Sequence, residues 1–220
     1  IPRRLLECDS SQLSALRKAG YVVVNQRERT IERNENISFI TPLLTPAQQR
    51  VVADIHTSQR EGKAVHLLRG ITGSGKTEIY MSLIAEVLAR GGDVLLLVPE
   101  IALTAQLIER MERIFGSRVT AYHSKLTSLR RTETYLRLLH SEGGELVVGA
   151  RSALFLPLRH LQLVVVDEEH DQSYKQSDTA PRYNGRDTAI YLASLRGAAT
   201  LLGSATPSLE SYANAIGGKY

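Results

Sequence analysis

Short apolar runs alternate with longer amphipathic stretches from Thr45 to the end of the chain. The runs are rich in Val and Leu, which is typical of strands buried on both faces of a sheet. They predict strands at residues 65–68, 94–98, 119–122, 145–148, 161–166 and 200–202. The amphipathic stretches predict helices at 46–61, 76–90, 103–115, 128–139, 185–195 and from Pro207 onward. This alternation indicates an α/β domain with a mostly parallel sheet, helices on both faces and functional residues at the carboxyl ends of the strands.

Residues 1–40 have a different pattern. Residues 10–19 predict a helix that ends at Gly20, and residues 21–24 predict a strand. A helix followed by a two-stranded ribbon is typical of the end of a winged-helix unit, and an N-terminal arm packed on the main domain is the alternative. We therefore expect residues 1–40 to be a winged-helix-like DNA-binding segment or an arm, and residues 41–220 to form the main domain.

The composition is that of an ordinary globular protein, with 43% hydrophobic and 23% charged residues in 220. The single cysteine, Cys8, excludes a disulfide within the chain. The sequence has no signal-peptide pattern and no long apolar run, so we expect a cytoplasmic protein with no membrane partner. The net charge is +4, and residues 118–137 alone contribute five cations and one acid. This segment predicts either a surface for a polyanion or a solvated helix face.

A glycine-rich segment, residues 70–77, follows the first predicted strand and opens a predicted helix. It matches G-x-x-x-x-G-K-[ST], in which backbone N–H groups of small residues and a helix N-terminus converge on nucleotide phosphates. We expect Lys76 to reach the β- and γ-phosphates and Thr77 to ligate Mg²⁺. The residues predicted here to bind the nucleotide are Gly70, Thr72, Gly73, Ser74, Gly75, Lys76 and Thr77.

Four polar residues, 167–170, follow the apolar strand at 161–166 directly. A strand that ends in acids delivers carboxylates to the edge of the sheet. We expect Asp167 to hold Mg²⁺ and Glu168 to orient or deprotonate an attacking water. With Lys76 they are the predicted catalytic residues, and ATP with Mg²⁺ is the predicted ligand.

The same segments resemble motifs of superfamily 2 helicases: residues 70–77 resemble motif I, residues 167–170 motif II and residues 204–206 motif III. Further segments resemble the PriA family of primosomal replication-restart helicases. They are residues 98–104, 149–155, 174–176, 182–187 and 203–211. The resemblance covers about residues 44–212 and implies a RecA-like P-loop NTPase domain, the first lobe of such a helicase. Residues 1–40 resemble the family's winged-helix segment only weakly.

The resemblance implies an ATP-driven 3′→5′ DNA helicase that acts at stalled or abandoned replication forks. It implies primosome proteins and single-stranded DNA-binding protein as partners of the full-length protein. It also implies that the second lobe with its arginine finger and the zinc-binding region lie outside this chain, so Zn²⁺ is expected only in the full-length protein. Since an arginine finger contributes about 10³–10⁵ in rate, we expect this chain alone to bind nucleotide and to hydrolyse it poorly.

The resemblance also assigns DNA-facing residues. Polar groups after strands can hold a phosphate backbone, and interleaved aromatic and cationic side chains suit single-stranded DNA. The residues predicted to bind forked or single-stranded DNA are Thr104, Arg151, Ser152, Tyr174, Lys175, Arg182 and Tyr183. Helix capping is a compatible alternative for Thr104, Arg151 and Ser152. Two departures from the family pattern occur here: Gly185 stands where Ala is usual, and the loop at residues 178–180 is about one residue longer.

A second set of residues is predicted to relay the nucleotide state to DNA. It comprises His170, Arg186, Ser204 and Thr206, with the two hydroxyls expected to hydrogen-bond residues 167–170. For Tyr183 and Arg186, the alternative is packing and capping of the next helix. Residues 45–48 resemble the family's adenine-reading motif and predict that Gln48 contacts the base, although T-x-x-Q is also a helix capping box.

Two other functions use the same residues. A small-molecule or nucleotide kinase would share the phosphate-binding segment, but the aromatic and basic loop after Glu169 and residues 204–206 argue against it. A nucleotide-gated DNA-binding scaffold, in which the ATP state sets DNA affinity without unwinding, is the non-enzymatic alternative.

Overall fold

The computed structural model describes residues 10–21, 39–177 and 180–220, and the chain divides into two compact units, Ile1–Ile37 and Ser38–Tyr220. In the first unit, the described residues form helix α1 (Ser10–Lys18), which ends in the basic residues Arg17 and Lys18. Cys8 and all but the first residue of the strand predicted at 21–24 lie outside the described residues. The winged-helix interpretation therefore stays a prediction.

The second unit alternates helices and strands as the hydrophobic pattern predicts. Its elements in chain order are α2 (Pro46–Arg60), β1 (Val65–Arg69), α3 (Lys76–Ala89), β2 (Asp93–Leu97), α4 (Ala105–Phe115), β3 (Val119–Tyr122), α5 (Ser128–Leu139), β4 (Leu146–Gly149), β5 (Leu161–Val166), β6 (Lys175–Gln176), β7 (Tyr183–Asn184), α6 (Gly185–Arg196), β8 (Ala199–Ser204) and α7 (Leu209–Ile216). No helix among the described residues is long and apolar enough to cross a membrane.

Six strands form one parallel sheet in the order β1-β8-β5-β2-β4-β3. Alternate residues of the central strand β2 enter two different cores, because successive side chains of a strand point to opposite faces. Val94 and Leu96 pack with α2, α3 and α4, whereas Leu95 and Leu97 pack with α5 and α6. The prediction of a sheet covered by helices on both faces is confirmed.

Strands β6 and β7 form a separate two-stranded antiparallel ribbon, which the sequence analysis predicted as a loop. Lys175 pairs with Asn184, and Gln176 pairs with Tyr183. Each strand has only two residues, so no hydrophobic alternation is long enough to mark it.

The second unit begins before the predicted boundary at residue 41. The ring of Phe39 lies 5.4 Å from that of Phe115, and the Arg118 guanidinium carbon lies 5.9 Å from the Phe39 ring centroid. Phe39 is therefore half-buried and packs against the main core.

Two cations of the basic segment 118–137 make internal contacts instead of facing outward. Arg118 donates to the backbone oxygen of Gly144 at 3.1 Å, and Arg137 pairs at 2.8 Å with Glu145, whose side chain is 1% exposed. The net charge of the segment therefore overstates the charge that it can offer a partner. Its exposed cations are Lys125, Arg130 and Arg131.

Buried Asp93 joins the amino ends of three central strands, and we expect its removal to destabilise the sheet. Its carboxylate accepts from the backbone N–H groups of Glu145 at 2.9 Å and His160 at 3.0 Å. Asp93→Ala leaves two donors without this acceptor, so the free energy of unfolding should fall by about 2–4 kcal/mol. Urea denaturation of the chain measures this, with Asp54→Ala on the exposed side of α2 as control. Equal losses in the two variants would contradict the role given to Asp93.

Candidate nucleotide-binding site

Three polar segments meet at the carboxyl edge of the sheet. The phosphate loop (residues 70–77) follows β1, the acidic segment (residues 167–170) follows β5, and residues 204–206 lie at the end of β8 and directly after it. In the sheet β8 lies between β1 and β5, and all three are parallel. Because parallel strands end at the same edge, segments far apart in the chain become neighbours.

The phosphate loop turns into α3 through Gly75, which is the helix N-cap. Gly75 has a φ of 84°, in the left-handed region that favours glycine. A Cβ at this position would also overlap the side-chain amide of Gln48. Any other residue would strain the turn and displace Gln48. The turn directs the first N–H groups of α3, beginning with Lys76, into the site.

Lys76 joins the phosphate loop to the acidic segment. Its side chain is 9% exposed, its ammonium donates to the backbone oxygen of Gly70 at 2.9 Å, and it lies 3.7 Å from Oε1 of Glu168. An ammonium at the end of a glycine-rich loop has the charge and the position to bind a phosphate, and Glu168 occupies that ammonium in this structure.

The acidic segment turns sharply at Glu168, the one residue other than glycine with a positive φ (45°) in the described part of the chain. This conformation costs energy for a residue with a Cβ and persists only where the surroundings enforce it. Around this turn, Asp167, Glu168, Glu169 and His170 face four different sets of partners.

Asp167 is held by two buried tyrosines. Tyr80 donates to its Oδ1 at 3.0 Å, and Tyr174 donates to its backbone oxygen at 2.7 Å. Burial raises the pKa of the Asp167 carboxyl, and the hydrogen bond from Tyr80 offsets part of that rise. No role for Tyr80 was predicted from the sequence, although its position four residues after Lys76 places both on one face of a helix.

Tyr174 corrects a sequence prediction. It is 1% exposed, so its ring offers no face on which a base could stack. The prediction that Tyr174 contacts DNA is therefore wrong for this structure. From sequence alone, an aromatic residue in a polar segment is expected to be exposed. Only the packing of the 3₁₀ helix Gln172–Tyr174 shows that Tyr174 points inward.

His170 faces the residues at the end of β8. Its Nδ1 lies 2.8 Å from Oγ of Ser204, and its Nε2 lies 3.5 Å from Oγ1 of Thr206. The predicted hydroxyl contacts with the acidic segment are therefore present. Their role in coupling stays a prediction.

Glu169 lies at the centre of a buried network that was not predicted from the sequence. Its carboxylate accepts from the backbone N–H of Ser208 at 2.7 Å, from the hydroxyl of Ser211 at 2.8 Å and from Arg186 at 3.1 Å. Burial acts to raise the pKa of Glu169, but these hydrogen bonds hold it below its ordinary value. The network connects the acidic segment with the start of α6 and with α7. The sequence signal for this network was a pair of serines, Ser208 and Ser211, three residues apart at the start of a predicted helix. Serine at a helix start is also typical of capping, so this signal did not distinguish the network from a cap.

Gln48 has two sets of contacts. It forms a capping box with Thr45, in which the N–H of Thr45 donates to Oε1 of Gln48 at 2.8 Å and the N–H of Gln48 donates to Oγ1 of Thr45 at 3.3 Å. Its Nε2 also donates to the backbone oxygen of Gly75 at 3.3 Å. The capping alternative is confirmed, and contact with adenine stays a prediction for a side chain that touches the phosphate loop.

Arg151 connects the residues after β4 with the ribbon formed by β6 and β7. It donates to the backbone oxygen of Ser173 at 3.0 Å and to the side chain of Gln176, and its guanidinium carbon lies 5.6 Å from the Tyr183 ring centroid. The edge of Tyr183 in turn meets exposed Phe155, with ring centroids 5.4 Å apart. Arg151 and Tyr183 are thus half-buried parts of one aromatic and cationic cluster.

The other predicted DNA-binding residues lie at the surface. Thr104 is the N-cap of α4 and accepts from the N–H of Leu107 at 3.3 Å, so its capping alternative is confirmed. Ser152, Lys175 and Arg182 are exposed. Nucleic-acid contact at these positions stays a prediction.

Comparison with known proteins gives one family. The model of the DEAD/DEAH box helicases matches residues 45–215. The chain is 42% identical over 215 residues to the replication restart protein PriA of Chlamydia pneumoniae and 45% identical over 178 residues to that of Bacillus subtilis. These matches include 96% and 80% of this chain but only 28% and 22% of the two relatives.

Solved helicases share the fold. RecG bound to a three-way DNA junction superimposes with a TM-score of 0.58 at 23% identity over 81% of this chain and 23% of RecG. The Pyrococcus furiosus Hef helicase domain gives 0.53 at 20% identity over 78% of this chain and 35% of that domain. The predicted RecA-like α/β fold is confirmed.

We expect the Glu169 network to depend strongly on Arg186. The ion pair of Arg186 and Glu169 is buried, since the side chain of Arg186 is 10% exposed and that of Glu169 is 0% exposed. Arg186→Ala therefore leaves the buried carboxylate of Glu169 without its cation. The free energy of unfolding should fall by about 3 kcal/mol or more in urea denaturation. Arg130→Ala is the matched control, because Arg130 pairs with Glu133 at the surface and should cost less than about 1 kcal/mol. A loss for Arg186→Ala no larger than for Arg130→Ala would contradict this account.

Proposed function

Because the chain belongs to the DEAD/DEAH box helicase family, we propose that it is the ATP-binding lobe of a DNA-dependent ATPase that unwinds DNA 3′→5′ at stalled or abandoned replication forks. One observation carries the proposal: Lys76 and Glu168, from the phosphate loop and the acidic segment, lie 3.7 Å apart where β1 and β5 end. The similarity to PriA supports replication restart as the setting. The chain spans about a quarter of those relatives, so the activity is assigned to the full-length protein.

The donor set fits ATP with Mg²⁺. The glycine-rich turn at Gly75 and the ammonium of Lys76 suit phosphate oxygens. Thr77 and Asp167 would hold Mg²⁺ through a hydroxyl and a carboxylate, which are ligands that this ion accepts. When bound, Mg²⁺ supplies positive charge that offsets the charge of the phosphates.

Hydrolysis needs a group that takes a proton from water. Glu168 is that group in the proposal, because its turn separates it from Asp167 and directs it toward Lys76. Lys76 stabilises the charge on the transferred phosphoryl group. Without the arginine finger of a second lobe, we expect the chain alone to hydrolyse ATP slowly.

DNA binds, in this proposal, at the surface formed by the predicted DNA-facing residues. Tyr183 and exposed Lys175 and Arg182 offer a ring and cations to single-stranded DNA, and Thr104, Arg151 and Ser152 lie after other strands. Arg151 holds the ribbon next to the acidic segment, and His170 connects that segment with Ser204 and Thr206. DNA and nucleotide therefore act on neighbouring parts of one edge. The proposal assigns three further properties to the full-length protein. Its partners are primosome proteins and single-stranded DNA-binding protein, its additional metal ion is Zn²⁺, and its location is the cytoplasm.

The test is ATP hydrolysis by the full-length protein with no DNA, with linear duplex and with forked DNA. We expect the fork to stimulate hydrolysis well above the duplex, and Lys76→Ala to abolish hydrolysis and unwinding while the fold persists. Arg90→Ala at the other end of α3 is the control that should keep both. Equal rates in all three conditions would favour the kinase alternative. DNA affinity that changes with an ATP analogue, without turnover, would favour the scaffold.

Glu168→Gln separates nucleotide binding from hydrolysis. The amide keeps the shape of the side chain but cannot take a proton, so kcat should fall by about 10²–10⁴ while ATP still binds. Fluorescence titration with an ATP analogue and a steady-state ATPase assay measure the two effects. Glu210→Gln, on the exposed first turn of α7, is the control. Turnover like that of the unaltered protein would remove Glu168 from its role.

A further inference from the structure

Tyr80 is a buried side chain that contacts the acidic segment from the helix of the phosphate loop. It lies one helical turn after Lys76 on α3 and is 1% exposed. Its hydroxyl donates to Oδ1 of Asp167 at 3.0 Å, and no other side chain among the described residues donates to that carboxylate. A phenol that donates to a half-buried carboxylate forms a strong hydrogen bond, because the acceptor is charged and only partly hydrated.

Strand β8 leaves room for this phenol. A Cβ at Gly203 would overlap the hydroxyl of Tyr80 and would lie 3.4 Å from Oδ1 of Asp167. Gly203 lies at the edge between the phosphate loop and the acidic segment, and the N–H of Glu169 donates to its backbone oxygen at 3.0 Å. Helix α3, strand β8 and the acidic segment therefore build this contact together.

We propose that Tyr80 is the positioning residue for the carboxylate of Asp167 and thereby sets how tightly the site takes Mg²⁺ together with its nucleotide. The inference rests on the proposed function, in which Asp167 holds Mg²⁺. The hydrogen bond to Oδ1 fixes the rotation of the Asp167 carboxylate. The carboxylate is therefore already oriented before Mg²⁺ binds, and binding does not have to restrict its rotation. Partners that orient a metal ligand in this way contribute about 10–100-fold to metal affinity.

Tyr174, the second buried tyrosine that donates to Asp167, offers a matched comparison with Tyr80. It is also 1% exposed, and its hydroxyl donates at 2.7 Å to the backbone oxygen of Asp167 rather than to the carboxylate. Tyr80→Phe and Tyr174→Phe each remove one buried hydroxyl beside Asp167. Only the first removes a contact that sets the rotation of the carboxylate.

The experiment measures binding of a fluorescent ATP analogue to the chain as Mg²⁺ is titrated, with EDTA as the zero point. For Tyr80→Phe we expect the Mg²⁺ concentration at half-maximal effect to rise about tenfold or more, with unchanged affinity in EDTA. Tyr174→Phe should resemble the unaltered chain in both. Gly203→Ala, which displaces the phenol without removing it, should reproduce the shift of Tyr80→Phe.

The outcomes separate this inference from the proposed function. An Mg²⁺ requirement in Tyr80→Phe equal to that of the unaltered chain would overturn the positioning role while the proposed function stands. Equal shifts in Tyr80→Phe and Tyr174→Phe would also overturn it, because general loosening around Asp167 would explain both. Failure of the unaltered chain to bind the nucleotide analogue would overturn the proposed function and this inference together.

Discussion

The parallel order of β1, β8 and β5 is the constraint on which the site depends. The phosphate loop and the acidic segment are about a hundred residues apart in the chain, and they meet because β8 pairs with both of their strands. The pairing places Arg69 opposite Ser204 and Val166 opposite Leu202. A shift of either register would separate Lys76 from Glu168, so the site inherits its geometry from the pairing of these three strands.

The acidic segment shows how a strained turn is kept in place. Glu168 has a left-handed backbone conformation that an isolated chain avoids, and its neighbours on both sides are fixed. Asp167 is held through its carboxylate and its backbone oxygen, and Glu169 is held through buried hydrogen bonds to α6 and α7. The partners of the flanking residues therefore offset the cost of the turn and direct Glu168 toward Lys76.

The sequence was sufficient for features that depend on local pattern. The spacing of hydrophobic residues and the residue types predicted the strands and helices to within about two residues at most ends. The phosphate loop was predicted from its own eight residues. The contacts of Tyr80, Tyr174 and Glu169 depend on which strands become neighbours, and strand order is not contained in any short segment. The error at Tyr174 has the same origin, because its burial follows from packing beneath the acidic segment. Similarly, Arg118 and Arg137 were expected from the sequence to be surface charges, whereas in the structure they contact Gly144 and Glu145.

Helix α3 connects the two ends of the proposed chemistry. Lys76 and Tyr80, one turn apart on the same face, contact the successive carboxylates of Glu168 and Asp167. In the proposed function, a phosphate bound at the N-terminus of α3 would compete with Glu168 for the ammonium of Lys76, and any movement of the helix would also move the phenol that donates to Asp167. The acidic segment is connected through Glu169 to α6 and α7 and through His170 to the end of β8, and these hydrogen bonds are the path along which the proposed coupling would run. In the proposed function, these two contacts one turn apart on a single helix would couple nucleotide binding to the arrangement of both acids.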